Sequence, residues 1–204
     1  MGIISTTSIE SSTERKHGVH GDIDRILIRR DEIAARVETL AQEIRRDWAG
    51  HGPDEEILLI PVLTGALIFV ADLIRHLPHK IRLNVITARS YQGASTTSSG
   101  DPIVNGLPDD LRNQHVLIVD DILDSGTTIR RIQAMVEKRG PKSAHTCVLL
   151  RKKLPSAMAT PCSYVGFDIE NEFIVGYGLD YNGYYRNLPD IGVPKRELLG
   201  ADES

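Results

Sequence analysis

The stretch VLIVDDILDSGTTIRRI, residues 116–132, decides the fold of this chain. An apolar run ends at two aspartates, a third acid follows at Asp124, and the chain then turns through Ser-Gly-Thr-Thr into an amphipathic segment. A buried strand, a short loop and a helix in this order are typical of a parallel sheet whose faces are covered by helices. Ligands of such sheets bind beyond the carboxyl ends of the strands. We therefore expect the three acids and the turn to lie at a ligand site.

The same alternation continues on both sides of this stretch. Apolar residues at helical spacing predict a helix that is capped by Asp31 and ends near Gly50. Two further helices are predicted, one from the turn at Thr64-Gly65 to Leu77 and one over about 127–139. The predicted strands are 57–62, 81–88, 115–120, 144–150, 163–169 and 173–178. The fold class is therefore α/β, a single domain over 21–204 with a mainly parallel twisted sheet, preceded by a flexible polar segment over 1–20.

Composition limits the classes of function. The chain has 204 residues and a net charge of −4, from 24 basic and 28 acidic residues, which argues against a nucleic-acid partner. It contains neither an apolar run long enough to cross a bilayer nor a signal peptide at its start, so we expect a cytoplasmic protein with no membrane partner. Cys147 and Cys162 form no CxxC motif, and the histidines do not cluster with them, which argues against a zinc site.

The chemistry of residues 120–128 favours a phosphorylated sugar. Backbone N–H groups and hydroxyls at a helix N-terminus bind phosphate, whereas three nearby carboxylates would repel a bare polyanion. A sugar phosphate satisfies both halves, because its hydroxyls donate to the acids and its phosphate accepts from the turn. In the alternative interpretation, the acids are only a polar strand end and the turn is only a capped helix start. Neither the GxxxxGK[ST] nor the GxGxxG phosphate motif occurs in the chain.

VLIVDDILDSGTT resembles the phosphoribosyl diphosphate (PRPP) signature of the type I phosphoribosyltransferases, in particular their hypoxanthine-guanine branch. The resemblance covers roughly residues 25–195, through VLTGALIFVADLIRHL, RSYQG, the signature, LLRKK and FIVGYGLDYNGYYRNLPDIGV. It implies an enzyme of purine salvage that uses PRPP, a 6-oxopurine base and Mg²⁺, with a small C-terminal hood on the domain. It also implies a homodimer or homotetramer.

The resemblance implies a role for each matching residue. Asp124 is the catalytic residue and faces purine N7, while the ribose and its 5′-phosphate lie against Asp120, Asp121, Ser125, Gly126, Thr127 and Thr128. Lys152, Phe173 and Ile174 bind the purine. Diphosphate and the lid over it involve Leu63, Thr64, Gly65, Ser90, Tyr91 and Arg186, and the metal-site acids are Asp180, Asp120 and Asp121.

Several of these residues also have an interpretation without a site. Lys152 lies in the basic run 151–153 and is then a surface lysine, Phe173 and Ile174 are core residues, and Asp180 and Arg186 belong to a solvated turn. The polar stretch 89–101, which matches the family's lid, is then a disordered loop. For Lys152 the residues alone favour the surface interpretation, and the resemblance reverses this preference. In a base site its chemistry indicates the substrate, because an ammonium only donates hydrogen bonds. It therefore pairs with the 6-oxo group of hypoxanthine or guanine and opposes the 6-amino group of adenine.

One position departs from the family pattern. The diphosphate loop commonly reads Leu-Lys-Gly, a peptide that can be cis in the family, whereas this chain has Leu63-Thr64-Gly65. A cation near the leaving group is lost, so we expect diphosphate binding to depend on backbone amides, the Thr64 hydroxyl, Mg²⁺ and Arg186.

Two other functions stay open on the sequence. A relative that prefers xanthine or guanine would share these motifs, because recognition at purine position 2 rests largely on backbone groups. A regulator with the same fold would bind nucleotide and RNA without salvage as its main task, although the net acidity of the chain speaks against it.

Overall fold

Strands and helices alternate along the chain. The computed structural model describes residues 19–49, 56–89 and 102–199. Its strands are β1 (Ile23–Ile28), β2 (Ile57–Leu63), β3 (Ile81–Leu83), β4 (Ile86–Arg89), β5 (Ile103–Asn105), β6 (His115–Leu123), β7 (Ser143–Lys152), β8 (Tyr164–Ile169) and β9 (Ile191–Pro194). Its helices are α1 (Arg30–Trp48), α2 (Leu67–Ile74), α3 (Thr127–Glu137) and α4 (Pro155–Met158), with 3-10 turns at Val19–Asp22 and Arg196–Leu198.

The larger sheet confirms the predicted α/β class. Its strands run in the order β5-β4-β2-β6-β7-β8, with β3 also beside β2. The pairs that β2, β3, β4, β6, β7 and β8 form with one another are parallel. Among the described strands of this sheet only β5 runs antiparallel, against β4. The carboxyl ends of β2, β6 and β7 therefore meet at one edge of the sheet.

Apolar side chains cover both faces of this sheet. Helices α1 and α2 pack on one face through residues such as Leu40 and Phe69, and α3 packs on the other through Ile129 and Ile132. Each fully buried side chain of this kind contributes about 1.5–3 kcal/mol. The edge that carries the predicted site is thus held by a core on either side.

Helix α1 begins earlier than predicted. The N-cap is Arg29, whose backbone N–H donates to Oε2 of Glu32 at 2.9 Å, and the predicted cap Asp31 lies inside the first turn. An acid there is stabilised by the helix dipole, which explains its position without a capping role. Of the described helices, none combines the length and the apolar composition needed to cross a bilayer.

A second, two-stranded sheet joins the two ends of the domain. Strands β1 and β9 pair antiparallel, with Ile23 opposite Pro194 and Ile28 opposite Ile191. We call β1, β9 and the loop 173–190 the hood. The prediction placed the hood at the C-terminus alone and missed both strands. In β1 two adjacent charged residues interrupt the apolar pattern, and β9 is short and contains Gly and Pro.

Four predicted boundaries are wrong. The predicted strand 81–88 is broken at Asn84, whose backbone N–H donates to the Leu59 carbonyl at 3.0 Å, so β3 and β4 pair with different halves of β2. The predicted strand 173–178 is a loop, because residues 176–178 have φ angles of 102°, 48° and 101°. Helix α2 ends at Ile74 instead of Leu77, and β6 continues to Leu123 instead of ending at Asp120.

Candidate active site

Two adjoining cavities lie at the carboxyl edge of the sheet. The first, of about 270 Å³, is lined by the ends of β2 and β6, by residues 124–129 and by Asp180 and Arg186. The second, of about 220 Å³, lies against the end of β7 and the hood. Four residues line both cavities: Asp121, Ile122, Asp124 and Asp180. A ligand with two parts can therefore bind across them.

The turn 125–128 forms the wall of the first cavity at the start of α3. Gly126 is the N-cap and has a φ of 83°, a left-handed conformation that favours glycine. The Ser125 Oγ lies 3.1 Å from the Thr127 Oγ1, so both hydroxyls are at the N-terminus of α3. The N–H groups of a first helical turn have no partner within the helix, and together with these hydroxyls they suit a phosphate group.

Asp120 and Asp121 lie inside β6 and not beyond its end. Asp120 is buried, and the backbone N–H of Asp121 donates to its Oδ1 at 3.0 Å. Burial, and then the neighbouring charge of Asp121, hold the pKa of Asp120 well above its usual range. Burial also raises the pKa of Asp121, although hydrogen bonds and the charge of Arg186 oppose the shift. Such acids favour a ligand that brings hydroxyl donors or a cation to them.

Glycine is required where the loop 63–65 meets this acid pair. A Cβ on Gly65 would lie 1.9 Å from Oδ2 of Asp121, and one on Gly178 would lie 2.2 Å from the Gly65 carbonyl oxygen. The backbone of the loop 63–65 therefore packs directly against the Asp121 carboxylate of β6, and the hood packs against the backbone of the loop. The Leu63-Thr64 peptide is cis, and the Thr64 side chain is exposed.

Lys152 and Asp124 form an ion pair at the boundary of the two cavities. The Lys152 Nζ donates to Oδ2 of Asp124 at 3.1 Å, and Lys152 is only 8% exposed. The pair exists because β6 and β7 are in register, with Leu123 opposite Arg151, so the residues that follow lie side by side. The surface interpretation of Lys152 is thereby wrong.

The hood places an aromatic ring at the second cavity. Phe173 is 36% exposed and packs edge-to-face on Tyr181, with 5.5 Å between ring centroids. A partly exposed ring of this kind can stack on a flat base. Ile174 is buried in the core, as the core interpretation expects, and it also lines the second cavity.

Asp180 and Arg186 face each other across the hood loop. The Arg186 Nη2 lies 2.6 Å from Oδ1 of Asp180, and its Nη1 donates to the Gly178 carbonyl at 2.5 Å. The loop is fastened to α2 by Tyr177, whose hydroxyl donates to Oδ2 of Asp72 at 2.6 Å. An acid and an arginine are thus held at the first cavity, next to residues 63–65.

The described site residues of the sequence prediction all lie at these cavities, whereas Ser90 and Tyr91 fall outside the described residues. Sequence reasoning missed Ile122, Glu172 and Leu179, which line the second cavity. For Ile122 the available signal was its position directly between Asp121 and Asp124 in the sequence.

The donor set fits a metal ion that arrives with a ligand. In the described chain, no group of three His, Cys, Asp or Glu side chains is arranged to hold a metal by itself. Mg²⁺ is commonly bound by one or two carboxylates, with phosphate oxygens and water completing the octahedron. The pair Asp120-Asp121 on one side of the first cavity and Asp180 on the other supply such carboxylates.

Comparisons with known proteins agree on one family. The model of the phosphoribosyl transferase domain matches residues 27–182. A hypoxanthine-guanine phosphoribosyltransferase of Mycobacterium avium is 39% identical over 94% of this chain and 96% of its own length. A hypoxanthine phosphoribosyltransferase of Escherichia coli is 37% identical over 82% of this chain and 93% of its own length. Among solved structures, a mutant hypoxanthine phosphoribosyltransferase from Trypanosoma cruzi in a ternary substrates complex superposes with a TM-score of 0.80. It is 35% identical, and the match covers 88% of this chain and 99% of that one.

Proposed function

This chain belongs to the phosphoribosyltransferase family, and we propose that it transfers the 5-phosphoribosyl group of PRPP to N9 of hypoxanthine and guanine, releasing diphosphate. The products are IMP and GMP. The observation that carries the proposal is the Lys152-Asp124 pair, which places a hydrogen-bond donor and an acceptor side by side between a sugar-phosphate cavity and a base cavity.

The first cavity would bind the phosphorylated sugar of PRPP. The turn 125–128 receives the 5′-phosphate through backbone N–H groups and hydroxyls. The carboxylates of the buried Asp120 and the half-buried Asp121 accept hydrogen bonds from the ribose hydroxyls. Burial raises the pKa values of both acids and thus disfavours their charged forms. A cation or the hydroxyl donors of the ligand would stabilise these charged forms.

The second cavity would bind the base. Phe173 stacks on the ring, and the Lys152 ammonium donates to the 6-oxo group. Asp124 then lies near N7, where it accepts a proton or a hydrogen bond as N9 bonds to C1 of the ribose. Adenine is rejected because its 6-amino group places a second donor against the ammonium, whose hydrogen bond to the base is lost; a mismatch of this kind discriminates by roughly 10⁴ or more.

Bond breakage leaves negative charge on the diphosphate. Arg186, the amides of residues 64–65 and the Thr64 hydroxyl would bind it, since these residues line the first cavity. Mg²⁺, held by Asp180 and by the Asp120-Asp121 pair, would neutralise part of this charge. Since residue 64 is not lysine, we propose that Arg186 is the main protein cation on the leaving group.

The test is nucleotide formation from hypoxanthine, guanine, xanthine and adenine, each with PRPP and Mg²⁺ and with Asp124→Asn as the control. IMP and GMP formation, with adenine inert and the variant strongly impaired, supports the proposal. Faster turnover of xanthine than of hypoxanthine would favour a xanthine-preferring relative, and transfer to no base would refute the activity. Omission of Mg²⁺ in the presence of a chelator tests the metal separately.

We further propose a homodimer or homotetramer that works in the cytoplasm, which rests on the family resemblance. Light scattering of the purified protein tests the assembly, and fractionation of cells tests the location.

A further inference from the structure

We propose that Arg130 is a positioning residue of the 5′-phosphate site. Its guanidinium holds the turn 125–128 in its binding conformation and places a positive charge behind it. Arg130 belongs to the second turn of α3 and packs behind Gly126, whose backbone lines the first cavity. The inference rests on the proposed function, because it concerns the phosphate of the same sugar.

The turn is in direct contact with the Arg130 side chain. A Cβ built on Gly126 would lie 2.7 Å from the Arg130 Nη1 and 2.0 Å from the Thr160 Oγ1. The cavity-lining backbone therefore rests on a guanidinium and a hydroxyl. We expect removal of either group to change the position of the turn.

The Arg130 guanidinium is itself held by hydrogen bonds to Thr160 and Ser156. Its Nη1 donates to the Thr160 Oγ1 at 2.6 Å and to the Ser156 carbonyl at 3.2 Å, and the Thr160 hydroxyl donates to the same carbonyl at 2.8 Å. Thr160 is 2% exposed. These contacts fasten the phosphate turn to α4, so the N–H groups are arranged before the ligand arrives.

The charges of the first cavity explain why a cation is needed here. Four aspartates line it, at positions 120, 121, 124 and 180. The only lysine or arginine among its described lining residues is Arg186, which is paired with Asp180. A phosphate ester that enters meets excess negative charge, and the dipole of α3 offers only about half a positive charge. Arg130 adds a full positive charge directly behind the phosphate turn.

A purely structural role would be to fasten α3 to α4. Such a role lowers the stability of the protein and affects all ligands of the cavities alike. The proposed role acts on the phosphate alone, so two ligands that differ only by this group distinguish the two.

The experiment measures the binding of IMP and inosine, and of ribose 5-phosphate and ribose, to Arg130→Gln and Arg130→Lys by calorimetry. Arg131→Gln is the matched control, since both arginines are exposed and this variant removes the same charge from the neighbouring position of α3. We expect Arg130→Gln to weaken IMP and ribose 5-phosphate roughly tenfold at low salt, with inosine unchanged and Arg130→Lys in between. Arg131→Gln should change each Kd by less than about twofold.

Equal weakening of IMP and inosine, or equal effects of Arg130→Gln and Arg131→Gln, would overturn the inference. If Arg130→Gln does not fold, Arg130→Lys and Thr160→Val still test it, because both disturb the contact with the turn. Arg130-dependent binding of ribose 5-phosphate without any nucleotide formation would refute the proposed function and leave the inference standing. IMP formation, together with an unchanged ratio of IMP to inosine affinity in Arg130→Gln, would refute the inference and leave the proposed function standing.

Discussion

Replacement of Lys152 by alanine should separate catalysis from folding. The Nζ of Lys152 is 3.1 Å from Oδ2 of Asp124, but the Asp124 side chain is 56% exposed, so water screens the pair. An exposed ion pair contributes about 0–1 kcal/mol, and the buried stem adds roughly 1–2 kcal/mol. We therefore expect the free energy of unfolding to fall by about 1–3 kcal/mol, which leaves most single domains folded.

The effect on transfer should be much larger. The variant loses a charged donor to the 6-oxo group and leaves Asp124 without its partner in the base cavity. Loss of a hydrogen bond from a charged group costs about 1.5–3 kcal/mol, and the displaced acid adds to it. We expect kcat/KM for hypoxanthine to fall by roughly 10²–10⁴, which corresponds to about 3–5 kcal/mol.

The matched control is Arg151→Ala. Arg151 precedes Lys152 on β7 and points to the other face, where its Nε bonds to Oδ1 of Asp168 at 2.7 Å. The control should lower the denaturation midpoint by a similar amount and leave kcat/KM within about threefold. Steady-state kinetics and urea unfolding of both variants decide. A Lys152→Ala enzyme that keeps its kcat/KM, or equal kinetic losses in the two variants, would refute the assignment of Lys152 to the base.

Four further outcomes are expected. Gly126→Ala should cost about 2 kcal/mol or more in urea unfolding and raise the KM for PRPP, because alanine at a φ of 83° would contact the Thr160 hydroxyl. With a chelator present, Asp120→Asn should raise the Tm of the ligand-free protein at pH 7. The pKa of the Asp120 carboxyl is raised in the folded protein, so its ionisation opposes folding. The gain in Tm should vanish below pH 3.8, the ordinary pKa of an aspartate, where the carboxyl is protonated in both states. Thr64→Lys should lower the KM for PRPP several-fold with unfolding changed by less than about 0.5 kcal/mol, since the side chain is exposed; an unchanged KM would show that a cation there is not used. Deletion of residues 94–99 should raise PRPP hydrolysis relative to transfer, measured as ribose 5-phosphate against IMP.

The sequence predicted those parts of the molecule in which a local pattern determines the structure. The βα unit around Asp120 and the phosphate turn combine an apolar run with a glycine-containing helix start, and both were located correctly. The end of β6 was not, because Ile122 and Leu123 continue the strand past acids that looked like its boundary.

Other features depend on contacts between distant segments. The pairing of β1 with β9 joins the two ends of the domain, and neither strand has a clear pattern of its own. The Lys152-Asp124 pair depends on the register of two neighbouring strands, which the sequence does not display. Residues 176–178 look like a strand by composition, but their backbone turns where the hood meets α2.

The stacking of Gly178 on Gly65, and of Gly65 on Asp121, also bears on how such an enzyme can diverge. A side chain at either glycine would collide with a neighbouring segment, so both positions are closed to substitution. The neighbouring position 64 is open to substitution, because the Thr64 side chain is exposed. A substitution at position 64 can therefore change the chemical group at the first cavity while the backbone of the loop stays in place.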